Sequence, residues 1–177
     1  MSLRVRARPA RAADLHAVAA IYNAGIRGRG ATFETRERAP AELAGWLDDP
    51  QPFLVAETGG PPSPDGGPAA PLVGWVRSSA YRPRACDAGV GDFSVYVAPD
   101  ARGRRVGDAL LTAFVPACAG AGLWKLVARI FPENAASRAL CARHGFREVG
   151  TYAKHARLDG AWRDVVIVER LLPENLT

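Results

Sequence analysis

Residues 94–111 read SVYVAPDARGRRVGDALL: a short alternating apolar run, a tight loop rich in arginine and glycine, then apolar residues at helical spacing. A strand that feeds a loop of free backbone N–H groups at a helix N-terminus is a seat for a pyrophosphate. The stretch therefore places a phosphate-bearing cofactor at the centre of the reading.

Outward from that loop, Phe93, Val95 and Val97 fall on one face of a strand over residues 93–97. Val106, Leu110, Phe114 and Cys118 recur at i, i+4 on the helix that follows, and Pro116 is expected to kink or shorten it. Upstream, residues 3–7 (LRVRA) alternate as a half-buried strand does. Leu15, Val18, Ile21, Tyr22 and Ile26 mark a first amphipathic helix. Leu43, Trp46 and Leu47 mark a short second helix. Residues 53–57 and 72–78 read as strands, and the Pro/Gly segment TGGPPSPDGGPAAP between them (residues 58–71) as an enlarged hairpin loop. Downstream come a strand at 124–131, a helix at 134–143, and closing strands at 146–152 and 162–170 around an Asp159–Gly160 turn. This order predicts one mixed α/β sheet in a single domain spanning residues 1–177.

Composition excludes several classes. No apolar run approaches the ~20 residues needed to span a bilayer, so no membrane association is expected. Residues 1–15 carry basic residues with no apolar segment behind them, unlike a secretory signal. Three cysteines and three histidines without metal-ligand spacing point to no metal and no disulfide framework, hence a reduced, cytoplasmic protein. The net charge of +5 rests almost wholly on arginine, since Lys125 and Lys154 are the only lysines. Either arginine-rich codon usage or an anionic ligand accounts for that. Nucleic acid is not expected, because the basic residues are dispersed and lack an aromatic platform.

With residues 102–107 and the segment ENAASRALCARHGF (133–146), this order resembles the GNAT superfamily of acetyl-CoA-dependent N-acetyltransferases, over nearly the whole chain. YNAGIRGRGATFET, YRPRACDAGVGDFSVYV, WKLVARIFPENAASRALC and KHARLDGAWRDVVIVERLLPENL look, more narrowly, like the arsinothricin/phosphinothricin N-acetyltransferase family. The resemblance implies the GNAT acyl-CoA N-acyltransferase fold, acetyl-CoA as co-substrate, a small-molecule amine as acceptor, direct transfer in a ternary complex, and a homodimer.

It also implies roles for residues. Val95, Tyr96 and Val97 would pair with the pantetheine arm, and Arg102, Gly103, Arg104, Arg105, Val106, Gly107 and Asp108 would cradle the pyrophosphate. Arg105 departs from the family pattern, which has glycine there; a negative φ would still let it present its N–H. Asn134 would bond the cofactor arm or cap its helix, and Ser137 would cap. The family's base position holds Asp92, one methylene shorter than the usual glutamate and so ~1.5 Å short in reach; Asp87 is the nearest alternative carboxylate. Cys141 stands where the family has a tyrosine or histidine, either as hydrogen donor to the leaving thiolate or as a small core residue. Tyr81, Arg82 and Arg84 would bind an oxyanion-bearing substrate, with Thr32, Phe33 and Thr35 as a pocket wall. His155 is read as structural. Two other readings stay open: an acetyltransferase for methionine sulfoximine or sulfone, and a non-catalytic acyl-CoA-binding module.

Overall fold

The computed structural model describes residues 5–59 and 70–176. Its strands are β1 (Val5–Pro9), β2 (Phe53–Thr58), β3 (Leu72–Ala80), β4 (Val90–Val97), β5 (Lys125–Ile130), β6 (Arg147–Leu158) and β7 (Ala161–Leu171). They form one sheet in the order β1-β2-β3-β4-β5-β7-β6. All neighbours are antiparallel except β4 and β5. A parallel pair requires a crossover, and helix α2 (Val106–Gly120) supplies it.

Helices cover both faces. On one side α2 and α3 (Ala135–Arg143) bury Leu110, Leu111, Phe114 and Cys118 against Val76, Phe93, Leu126 and Val168. Each fully buried side chain of this size stabilises the fold by about 1.5–3 kcal/mol. On the other side α1 (Leu15–Arg27) packs Val18, Ala19 and Ile21 against Val55 and Trp75. The spacing of apolar residues thus decides which helix faces which side. Among the described residues, no helix is long and apolar enough to cross a membrane.

Some expectations are corrected. The second helix is a 3-10 helix, Pro40–Leu47, entered through a proline that has no N–H to satisfy there. Helix α2 is not shortened at Pro116 but runs on to Gly120. Strand β4 begins at Val90, earlier than its apolar alternation suggests, and β6 continues to Leu158 rather than ending at Tyr152. β6 is the edge strand and almost fully exposed, so no apolar alternation marks its second half. The β6–β7 turn is as read: Asp159 and Gly160 have φ of 48° and 81°, as a tight primed hairpin turn requires. The ends of the Pro/Gly loop are tied, with Thr58 N–H donating to Pro71 O at 3.0 Å; residues 60–69 of that loop lie outside the described residues.

One close approach fixes how α1 meets the sheet. A Cβ on Gly25 would lie 2.7 and 2.8 Å from ring carbons of Tyr96. Tyr96 in turn stacks on Trp75, with centroids 4.7 Å apart, so the ring has little room to yield. Gly25→Ala is expected to cost about 1–3 kcal/mol of overpacking, more than the gain in helix propensity of up to about 1 kcal/mol. Thermal unfolding should show a lowered Tm; an unchanged or raised Tm would mean the ring moves freely.

Candidate active site

The site begins where β4 and β5 part. Their parallel pairing covers only residues 90–92 against 125–127. β4 stays paired with β3 as far as Val97, and β5 with β7 as far as Ile130, so a notch opens between them. Ala98 N–H donates to Val73 O on the β3 side. By alternation, the peptide groups of Val95 and Val97 then face the notch, unpaired by any strand.

At the outer end of the notch sits the arginine- and glycine-rich loop. A cleft of about 780 Å³ is lined by Val95, Tyr96 and Val97, by Arg102, Gly103, Arg105, Val106, Gly107 and Asp108, and by Asn134 and Ser137. Among the described residues, none of the amides of residues 103–108 makes a close backbone hydrogen bond. Those of Val106, Gly107 and Asp108 are the free first-turn donors of α2, where the helix dipole also favours an anion. Gly107 lets α2 lie close to α3, since a Cβ there would lie 2.8 Å from Leu140 Cδ2 and the leucine would have to shift. Asp108 would oppose an anionic ligand, but its carboxylate is tied to Arg143 (3.1 and 3.2 Å) and to His144 Nε2 (3.2 Å). The Arg143 hydrogen bond, with His144 in support, holds Asp108 below the usual carboxylate range despite partial burial.

Further in, the cleft meets a neck of about 50 Å³ lined by residues 93–96 of β4, Ala128, Arg129 and Ile130 of β5, Phe131, Asn134 and Cys141. The neck shares Ser94, Tyr96 and Arg129 with a second cavity of about 290 Å³ on the α1 side, lined also by Tyr22, Thr32, Phe33, Glu34, Ser79, Asp92 and His155 among others. The sequence alternation explains this lining. Asp92, Ser94 and Tyr96 point to the α1 face, while Phe93, Val95 and Val97 point to the α2 core. Asp92 is ion-paired with Arg129 across the parting strands. Burial pushes the Tyr96 phenol up, so it stays protonated, and its O–H reaches Ala31 O at 3.5 Å.

The structure brings most of the expected residues together. Asn134 caps α3, its Oδ1 accepting from Ser137 N–H at 3.1 Å, while its Nδ2 donates to Gly30 O at 3.3 Å. Capping therefore belongs to Asn134, and Ser137 supplies the amide. Cys141 is buried in the core beneath the neck, and burial pushes its thiol up to about 11.

Several expectations fail. Arg105 has φ +62°, in the left-handed region that glycine adopts readily, so the negative φ on which its fit was conditioned is not met. Arg104 does not line the cleft. Tyr81, Arg82 and Arg84 line neither cavity: Arg84 Nε donates to Asp87 at 2.9 Å, and the Arg82 guanidinium lies over the Tyr81 ring. Their loop closes the β3–β4 hairpin, and that pairing also occupies Asp87, the alternative carboxylate. Of the ATFET wall, Thr32 and Phe33 line the second cavity and Thr35 does not. Arg129, Glu34 and Ser79 of the cavity went unread, and His155, read as structural, lines it as well. Arg129 lies in an apolar strand run, where its charge signals a partner only once β4 is in place; His155 lies on β6.

Comparison with known proteins agrees with this geometry. The Acetyltransferase (GNAT) family profile matches residues 18–146. The chain is 35% identical over 173 residues to a phosphinothricin N-acetyltransferase of Streptomyces coelicolor, covering 95% of this chain and 96% of that one. It is 32% identical over 169 residues to an L-methionine sulfoximine/L-methionine sulfone acetyltransferase of Pseudomonas aeruginosa, covering 92% and 91%. A phosphinothricin acetyltransferase of Sinorhizobium meliloti, solved in complex with AcCoA, superposes with a TM-score of 0.82 at 28% identity, covering 97% of this chain and 89% of that one.

The Arg105 backbone yields a prediction. The left-handed conformation costs a non-glycine residue about 1–2 kcal/mol, against about 0.5–1 kcal/mol of extra chain entropy for glycine. Arg105→Gly should therefore hold or raise the Tm, whereas Arg105→Ala keeps the strain and should not raise it. A clear Tm loss in Arg105→Gly would show that the Arg105 side chain, not the backbone, governs this turn.

Proposed function

This chain belongs to the Acetyltransferase (GNAT) family, and we propose that it acetylates the α-amine of a small anionic amino-acid analogue of the phosphinothricin type. Acetyl-CoA is the donor, and the amine attacks directly within a ternary complex. The observation that carries this reading is that the cleft, the neck and the second cavity share lining residues, with Arg129 of the Asp92–Arg129 pair on both the neck and the second cavity.

The residues present fit the donor. The amides of residues 103–108 with Arg102 and Arg105 would hold a pyrophosphate, and the peptide groups of Val95 and Val97 would pair with an amide-bearing arm. When bound, acetyl-CoA supplies an acetyl group activated as a thioester. Everything else falls to the protein.

An α-amino acid carries its ammonium and its carboxylate on one carbon. Asp92 and Arg129 present the complementary charges side by side, so one acceptor would engage both. The ammonium must lose a proton before its lone pair can attack, and the Asp92 carboxylate takes it, directly or through a water. Acetylation then removes the positive charge by which such an analogue mimics glutamate, which accounts for a role in resistance.

Cys141 would donate a hydrogen bond to the departing sulfur rather than transfer its proton. Burial pushes its thiol up to about 11, which disfavours full transfer of its proton to a departing thiolate. The same protonated state leaves it no thiolate with which to form an acetyl-enzyme. The exposed edge strand β6, with Val149 and Tyr152 about half exposed, and Trp162 on β7 are the surface on which a homodimer would form.

Release of CoA thiol should show turnover with phosphinothricin or arsinothricin and little with glutamate. Turnover of methionine sulfone or sulfoximine alone would move the assignment to acceptors with neutral side chains. Acetyl-CoA binding without turnover of any acceptor would mean a binding module. Asp92→Asn should lower kcat by about 10²–10⁴, and full activity in this variant would remove Asp92 as base. Cys141→Ala should retain kcat within about threefold, where loss of a true general acid would cost about 10² or more. Light scattering should give twice the 18.8 kDa chain mass; a monomer would refute the dimer.

A further inference from the structure

Beside Tyr22 and Tyr96, the second cavity holds four groups on its walls that titrate as acids or bases or carry charge: Glu34, Asp92, Arg129 and His155. Three of them are satisfied by the protein. Asp92 and Arg129 pair with each other, and Glu34 Oε2 is held by Arg38 at 2.6 Å. The His155 ring alone of the four makes no hydrogen bond or ion pair among the described residues.

Its position is built by an irregularity of β6. The ladder with β7 jumps from Tyr152↔Val165 to Ala156↔Arg163, so residues 153–155 arch opposite the single residue Asp164. Lys154 holds the arch in a left-handed conformation, φ +49°, with its N–H donating to Asp164 Oδ1 at 2.7 Å. Bulges of this kind redirect side chains and recur beside active sites. Here the arch carries His155 from the exposed edge strand to the cavity wall. The ring lies between Phe33 and Tyr152, with centroids 6.2 and 5.4 Å away. Phe33 is braced edge-on against Phe131, 4.9 Å away, which fixes that wall.

Asp92 and His155 both line only the cavity, but Asp92 is tied to Arg129, which with Ser94 lines the neck as well, whereas His155 has no tie to a neck residue. We propose that His155 is a specificity-determining residue of the acceptor site, donating a hydrogen bond to an oxyanion at the end of the acceptor distal to its amine. The inference rests on the reading in Proposed function and adds to it the group that recognises the side-chain anion. With both cavity carboxylates already countered, an imidazole N–H that no protein group engages among the described residues offers a donor there to an acceptor's phosphinate or carboxylate.

The test is steady-state kinetics of His155→Ala and His155→Gln with phosphinothricin, whose side chain is anionic, and methionine sulfone, whose side chain is neutral. In His155→Ala the KM for phosphinothricin should rise about tenfold with kcat unchanged within about twofold. The KM for methionine sulfone and the affinity for acetyl-CoA should stay within about twofold. His155→Gln, which keeps an N–H donor, should recover part of the loss. Equal KM shifts for the two acceptors, no shift in either, or a fall in kcat with both would overturn the role of His155 while leaving the acetyltransferase reading intact. A wild-type protein that turns over neither acceptor would overturn the substrate reading, and this inference with it.

Discussion

The separation of β4 from β5 is the constraint on which the rest of the site depends. Three residues of parallel pairing hold the strands together at one end, and beyond Asp92 they diverge. Unpaired backbone groups in a folded protein need a partner or water. The divergence leaves such groups on Val95 and Val97, places free helix amides at the outer end, and leaves a small neck between the strands at the inner end. One topological feature thus sets out a binding groove, an anion seat and a neck that shares lining residues with both the cleft and the second cavity. The helices hold the notch open: α2 and α3 fill one face, and α1 is seated over the other because Gly25 lets it approach Tyr96.

Charge is arranged around this opening in local pairs. Asp108, at the anion seat, is offset by Arg143 and His144. Asp92 is offset by Arg129, and Glu34 by Arg38. Such pairs contribute little to stability where exposed. Their effect is on the ligand field: the cofactor cleft keeps its positive character, and the acceptor cavity presents balanced charges on adjacent side chains. An amino acid matches that second arrangement, because its own opposite charges lie on one carbon.

Much of the fold was legible in the sequence because the periodicity of buried residues survives along each element. Val106, Leu110, Phe114 and Cys118 announce α2, and the loop before it announces an anion seat. The cofactor side was legible for the same reason: it is contiguous in sequence. The acceptor side was not. Arg129 acquires meaning only from Asp92 on a neighbouring strand, and His155 only from a bulge that leaves no periodic trace. Tyr81, Arg82 and Arg84 misled in the opposite direction, since nearness in sequence to β4 does not bring a hairpin loop onto the cavity. The left-handed Arg105 was also hidden, because side-chain identity argues against that backbone and only the packed turn enforces it.

The most direct measurement is amide hydrogen exchange with and without acetyl-CoA. Binding in the notch predicts slowed exchange at Val95 and Val97 together with residues 103–108, and little change at the exposed edge strand β6. Protection confined to residues outside β4 and the α2 N-terminus, or none under conditions where acetyl-CoA is turned over, would contradict the claim that the parted strands form the cofactor site.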